Sequence, residues 1–281
     1  GWFRDQAGCE IWVGALSVSS LDWQGACREG RAEGAGRLVA VFRRADGLGN
    51  RELSCTCVAT DGRVVGEGSI QGPGFGRYEG DLANGVPDGR GTRSYKAGER
   101  YEGGWRDGSR HGEGEVTSPR GWLYRGVFAK DVFSGHGRSE GRNGDWHEGA
   151  YLGGLRHGRG TYASPTAGWR YEGDFVKGVR EGEGTLFLET GHRFTGVFKN
   201  GKPDGKGVCV DPASKKRGAC RYTLGRFKEW LGFDITHCAA DLHDGNVRFL
   251  GIGSFHDFQL NLIGDVRDDL DGRTEVVTPT L

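Results

Sequence analysis

Methionine is absent from all 281 residues. Ordinary proteins hold roughly 2% of it, so the expectation is a chain that has lost its original start through processing or truncation, with a signal peptide or anchor upstream left open. Net charge is missing too, since 38 basic residues balance 38 acidic ones. Lys215-Lys216-Arg217 is the only strong basic run, and no basic face or recognition motif is visible, which argues against nucleic acid as a partner. No apolar stretch approaches the roughly 20 residues that cross a bilayer as a helix, so the body of the chain reads as soluble.

Glycine is what the chain has in excess, 54 of 281 residues, and it recurs with a period of about 23. Ordered recurrence of this kind marks a repeat array in which no unit buries its apolar face alone. The lead positions of eight copies are Trp23, Cys55, Tyr78, Tyr101, Tyr124, His147, Tyr171 and Phe194. A longer step separates the first two, around Asp46-Gly47-Leu48-Gly49-Asn50, and reads as an exposed loop. Four residues after each lead comes a second, mostly aromatic position: Cys27, Ala59, Leu82, Trp105, Phe128, Tyr151, Phe175 and Phe198. These two positions are the expected core.

Glycines stand two, eleven and thirteen residues after most leads, as at Gly103, Gly112 and Gly114. The spacing fits a short strand, a turn carrying another glycine such as Gly108, and a return strand, so each unit is predicted to be a β-hairpin. Lead residue, glycine and second aromatic then share one face of the strand. Glycine weakens a strand interior by roughly 0.5–1 kcal/mol, and the gap it leaves is expected to receive a ring from the adjacent hairpin.

The pattern Tyr-Glu-Gly-x-x-x-x-Gly-x-x-x-Gly-x-Gly, present at Tyr101 and Tyr171 and slightly altered at Tyr78 and Phe194, resembles the MORN repeat (membrane occupation and recognition nexus). Departures concentrate at Cys55 and Cys57 in the second copy and at Asp131, which replaces the turn glycine of the fifth. The opening Cys9-Glu10-Ile11-Trp12, followed by Trp23-Gln24-Gly25-Ala26-Cys27, resembles bacterial exported MORN proteins, which implies a periplasmic or extracellular location. The fold class expected is all-β: an elongated solenoid of about eight stacked hairpins over 21–210, with an N-terminal cap strand within 1–20 and a C-terminal capping segment of mixed strands over 211–281. Such caps cover edges that would otherwise aggregate. Within the last segment, 222–231 fits strand or short helix, while 247–252 and 258–263 alternate like strands.

The exported resemblance bears on the seven cysteines, 9, 27, 55, 57, 209, 220 and 238. Cys9 with Cys27 would close the cap onto the first repeat, and Cys209 with Cys220 would staple the last repeat to the segment after it. The alternative is buried reduced thiols. Cys55 and Cys57 stand too close along one strand for a bridge to be expected between them.

Possible chemistry is confined to His237, Cys238, Asp241, His243, Asp244, His256 and Asp257, whose spacing matches neither a Cys-x-x-Cys pair nor a His-Glu-x-x-His helix. The acids from Asp265 to Asp271 miss the order of a calcium-binding loop. Polar turns are the favoured reading of both, so no catalytic, cofactor-binding or metal residue is assigned and an enzyme is not expected. A non-catalytic protein-binding or scaffold module is the leading function, with a stably bound accessory subunit of a larger assembly as a separate alternative. Tyr95, Trp122, Tyr162 and Trp169 are the candidate partner-binding aromatics, set against a role in packing between repeats. A membrane surface is the second partner considered, because basic residues gather at Arg106/Arg110, Arg156/Arg159 and Lys177/Arg180, although acids are interleaved with them.

Overall fold

A computed structural model describes residues 1–13, 18–43 and 50–231, together with four short strands beyond them. The chain divides into two units, Gly1–Ile235 and Thr236–Leu281. The second contains two antiparallel pairs, β21 (Asp241–His243) with β22 (Asn246–Arg248) and β23 (Asp265–Asp268) with β24 (Thr274–Val277).

The first unit is one 20-stranded sheet. β1 (Trp2–Arg4) and β2 (Glu10–Trp12) pair with each other, and nine hairpins follow. The first three are β3 (Val18–Arg28) with β4 (Arg31–Arg43), β5 (Asn50–Thr60) with β6 (Arg63–Gly72), and β7 (Gly76–Ala83) with β8 (Val86–Ser94). Next come β9 (Arg100–Arg106) with β10 (Ser109–Thr117), β11 (Leu123–Ala129) with β12 (Val132–Glu140), and β13 (Trp146–Leu152) with β14 (Leu155–Ser164). The last three are β15 (Trp169–Val176) with β16 (Val179–Leu188), β17 (Arg193–Lys199) with β18 (Lys202–Asp211), and β19 (Lys216–Thr223) with β20 (Arg226–Trp230). Each strand from β3 to β19 pairs antiparallel with the next.

The ninth hairpin lies past the array boundary expected near residue 210, and its register explains why the sequence conceals it. Gly218 pairs with Cys209 as earlier leads pair with their neighbours, which puts Cys220 in the glycine position and Tyr222 in the second aromatic one. Lead ring and glycine are both gone, yet the turn Leu224-Gly225 keeps the repeat geometry.

All nine hairpins close through two residues that both have positive φ, as at Asp107 (48°) and Gly108 (78°). This turn matches the right-handed twist of the flanking strands. Return strands then slip register, between Arg110 and Gly114 in the fourth hairpin, where Gly112 takes φ +71°. A bulge there adds local twist.

The core is a spine of rings on one face. Tyr78, Tyr101, Tyr124 and Tyr171 have no exposed surface. Contrary to the sequence reading, no ring from the adjacent hairpin fills the gap at the lead-strand glycine: a Cβ on Gly103 would meet Gly114 Cα at 2.5 Å and the Tyr101 hydroxyl at 2.6 Å, both of the same hairpin. The lead ring lies instead on the return-strand glycine, where a Cβ on Gly91, Gly114, Gly137 or Gly184 would stand under 3.0 Å from Tyr78, Tyr101, Tyr124 or Tyr171. Each of those hydroxyls donates to the carbonyl three residues on, from Tyr101 to Gly104 at 2.8 Å and from Tyr171 to Asp174 at 3.0 Å. Burial raises these phenols, Tyr101 and Tyr171 to about 12. From the fourth hairpin to the eighth, the second aromatic wedges edge-on between two leads, as Trp105 does between Tyr78 (5.3 Å) and Tyr101 (5.1 Å). The zigzag continues from Tyr78 to Tyr222, one hairpin to the next.

Gly114→Ala is expected to lower stability in urea denaturation by about 1–3 kcal/mol, through overpacking against Tyr101. Glu113→Ala, on the exposed opposite face, should stay within about 0.5 kcal/mol of the parent.

Candidate binding surfaces

The four aromatics assigned from sequence are all half-buried on the spine's face, Tyr95 and Trp122 against its first cluster and Tyr162 and Trp169 against its second. Arg93 lies over Phe75 (3.8 Å) and Tyr95 (4.6 Å) and donates to the Phe75 carbonyl. Tyr162 stacks on Trp169 at 5.2 Å and donates to Asp145 at 2.8 Å. These contacts bring Tyr162 and Trp169 together and leave Tyr95 and Trp122 separate.

Sequence reasoning missed the residue nine places after the lead. It points into the spine, as Ala32, Val64, Pro87, Phe133 and Pro203 do in five hairpins, and in the fourth, sixth and seventh it is Arg110, Arg156 and Arg180. These guanidiniums sit over rings, Arg180 at 4.8 Å from Trp169, and donate to the next turn at Asp131, Gly178 and Gly201. Burial pulls Arg180 below its ordinary pKa. Half of the basic residues considered for a membrane surface are thereby turned inward. On the opposite, polar face, arginines pair with glutamates on neighbouring positions, including Arg77–Glu79, Arg100–Glu102, Arg125–Glu115 and Arg138–Glu148, so its field is locally neutralised.

One hairpin carries a polar lead. His147 is 1% exposed with neither ring nitrogen hydrogen-bonded, and burial, followed by the charge of Arg156, lowers its pKa to about 4. The ring still packs edge-on against Tyr151 (5.2 Å) and Phe175 (4.9 Å), so it serves as a short substitute for tyrosine.

Cys9 and Cys27 stand 5.9 Å apart at Cα, Cys209 and Cys220 5.8 Å, and in both pairs the sulfurs meet in the geometry a disulfide needs. Cys55 and Cys57 are also brought sulfur to sulfur, with Cα atoms 5.6 Å apart. The reason is a bulge between Thr56 and Val58, which shortens the roughly 6.6 Å that two residues of regular strand would span. Cys238 lies outside the described residues.

Catalytic chemistry finds little to build on. Thr190 Oγ1 is 2.8 Å from His192 Nδ1, and His192 Nε2 is 3.1 Å from Asp211, but Thr190 is exposed, His192 and Asp211 are only half-buried, and Asp211 also accepts from Ala213 and Ser214, so the trio locks two loops together. A shallow depression of about 600 Å³ on the polar face is lined by Thr56, Glu67, Ser69 and Glu79. Among the described residues no cluster of three metal-ligating side chains occurs. His237, Cys238, Asp244, His256 and Asp257 lie outside the described residues, as do the side chains of Asp241 and His243 and of the acids from Asp265 to Asp271. Among the described residues no helix is long and apolar enough to cross a membrane.

The turns form the remaining surface. Each turn residue in the second position donates its N–H to the preceding hairpin, from Gly62 to Ala32, Gly108 to Pro87 and so on through Gly225 to Pro203, at 2.8–3.3 Å. β2 lies across the first two turns: Glu10 N–H donates to the Gly30 carbonyl and Trp12 N–H to that of Gly62, both at 2.8 Å. Farther along, Val132, Leu152, Leu155, Val176 and Val179 are 40–62% exposed on three consecutive turns.

Fold and surface together define an open-sheet β-hairpin repeat protein. More narrowly, the chain carries six MORN repeats, matched at residues 78–100, 101–122, 124–146, 147–167, 171–193 and 194–213. The first two hairpins and the ninth share the geometry beyond those matches. No curated protein matches the chain.

Peptide mapping of the unreduced protein is expected to find the Cys9–Cys27 and Cys209–Cys220 links, and Cys9→Ser to cost about 2–4 kcal/mol by reopening an 18-residue separation. His147 binds its proton more weakly folded than unfolded. Stability is therefore expected to be complete above the unfolded pKa of about 6.5 and to fall as pH drops from there toward the folded value of about 4. The slope should reach about 1.4 kcal/mol per pH unit at most, and His147→Phe should remove that component from melts collected across the range.

Proposed function

We propose that this chain is a non-catalytic protein-binding or scaffold module, an accessory subunit of a larger assembly, working in an oxidising periplasmic or extracellular setting. The observation that carries the reading is how fully the conspicuous side chains are used in packing. Rings and half-buried arginines hold hairpin to hairpin, while the exposed remainder is a long polar face and a row of nine turns. Extended repeat surfaces of this form suit extended partners. The residues before β3 and those after β20 act as caps in this reading, and the cysteine links at the two ends of the array fit an exported protein.

A membrane role is the second reading, and the inward-facing Arg110, Arg156 and Arg180 count against it, because a guanidinium held over a ring and bonded to a turn carbonyl is withdrawn from lipid headgroups. Affinity isolation of the full chain after cross-linking, with native gels, is expected to show a stoichiometric protein partner. Recovery of the chain alone, together with flotation on anionic vesicles at physiological salt, would reverse the order of the two readings.

A further inference from the structure

The turn edge changes character along the array. In the first, second and fourth hairpins the two residues flanking each turn are Arg28/Arg31, Thr60/Arg63 and Arg106/Ser109; in the eighth they are Lys199/Lys202. Between them, the fifth to seventh turns carry Val132, Leu152, Leu155, Val176 and Val179, exposed side by side. Lys130, Lys177, Lys199 and Lys202 surround this ridge, all exposed and without an ion-pair partner among the described residues, whereas the nearby acids are engaged: Asp131 with Arg110, Asp174 with Arg159, and Glu181 with the Asn200 N–H. The ridge is apolar with a positive rim.

The same edge already binds polypeptide within this chain. β2 crosses the first two turns in extended form, two residues per turn, through N–H donation to Gly30 and Gly62, with Ile11 buried beneath it and Trp2 and Trp12 lying against Arg31 and Arg63. In the ridge, the carbonyl of Gly154 has no donor among the described residues, while those of Asp131 and Gly178 on either side accept from Arg110 and Arg156. An open acceptor in the middle of an apolar strip matches the backbone N–H of an incoming strand.

We propose that the turns of the fifth to seventh hairpins dock an extended segment of a protein partner, laid across them as β2 is laid across the first two, with apolar residues alternating with acidic ones. This rests on the protein-binding reading and assigns it a surface and a partner chemistry. At two residues per turn, three turns need a segment of about six to nine residues. Apolar side chains on one face of the segment would cover Leu152, Leu155 and Val176, and acids would meet Lys130, Lys177 and Lys199.

The test uses the full chain and a synthetic nonapeptide alternating glutamate or aspartate with valine or isoleucine, read by fluorescence anisotropy. Saturable binding is expected, weakened at least tenfold by Leu152→Gln with Leu155→Gln, and similarly by Lys177→Glu with Lys199→Glu, with melting curves unchanged because all four side chains are exposed. A peptide with lysine in place of each acid should bind at least tenfold more weakly than the acidic one. Equal binding to parent and variants, equal binding of the two peptides, or no binding of the acidic peptide would overturn the proposal. So would flotation of the parent chain, but not of the Leu152→Gln/Leu155→Gln chain, on phosphatidylserine vesicles without peptide binding, which would make the ridge a lipid contact. A partner that co-purifies equally with parent and Leu152→Gln/Leu155→Gln chains would overturn the ridge while leaving the protein-binding reading intact.

Discussion

A lead ring lying flat on a glycine of its own return strand is the contact from which the rest of the sheet follows. The ring can reach that position only where no Cβ intervenes, so glycine is required opposite it and the two strands are locked face to face. Laid flat, the ring presents its edge and face sideways, and the second aromatic of the next hairpin wedges against it. One contact within a hairpin thereby creates the contact between hairpins. Tyrosines within the sheet are buried completely by this means.

Three hairpins lack a tyrosine, phenylalanine or tryptophan lead, and each shows a different remedy. At Cys55 the ring is replaced by a pair of sulfurs, made adjacent by a bulge. At Gly218 the ring is missing outright, and the Cys209–Cys220 link occupies the space, with Tyr222 closing the zigzag against Phe194. At His147 a smaller ring keeps the edge-on contacts but loses the hydrogen bond that tyrosine hydroxyls make to the strand, so two nitrogens are buried without partners. Sulfur and imidazole appear where the main contact fails, which accounts for them structurally before any chemistry is invoked.

Legibility in the sequence followed this logic. Tyr101, Gly103, Trp105, Gly112 and Gly114 are fixed by one steric requirement each, so hairpin, face and period could all be read from spacing. The ninth hairpin could not, because its lead ring and strand glycine are both substituted and only register identifies Gly218 and Cys220 with their positions. Arg110, Arg156 and Arg180 were read as exposed cations because composition does not show that a residue nine places after the lead follows the turn back into the spine. The gap at the lead-strand glycine was read as a space for a neighbour's ring, whereas return-strand backbone and the lead hydroxyl close it, because spacing along one strand does not show how near the return strand lies. Tyr95, Trp122, Tyr162 and Trp169 were visible as aromatics outside the fixed positions; the contacts of Trp169 with Arg180 and of Tyr162 with Asp145 depend on residues from other strands and loops, which spacing does not show.

A spine that consumes one face constrains where recognition can occur. Surface apolar residues on that face are held by their neighbours, and the arginines that might have attracted anions are tied to turn carbonyls. The opposite face is polar and internally paired, which gives an approaching partner little net field to follow. What remains variable without disturbing the spine is the pair of residues flanking each turn, because the backbone N–H of the turn's second residue makes the link to the preceding hairpin, and side-chain links at the flanks, such as Arg31–Asp61 and Arg63–Asn84, lie at the surface. Turn residues can therefore change from arginine to leucine or lysine from one hairpin to the next while the ring-on-glycine contact stays constant. In a repeat fold with this division of labour, specificity belongs to the turn edge and stability to the face, and the run from Val132 to Val179 lies on the side that is free to vary.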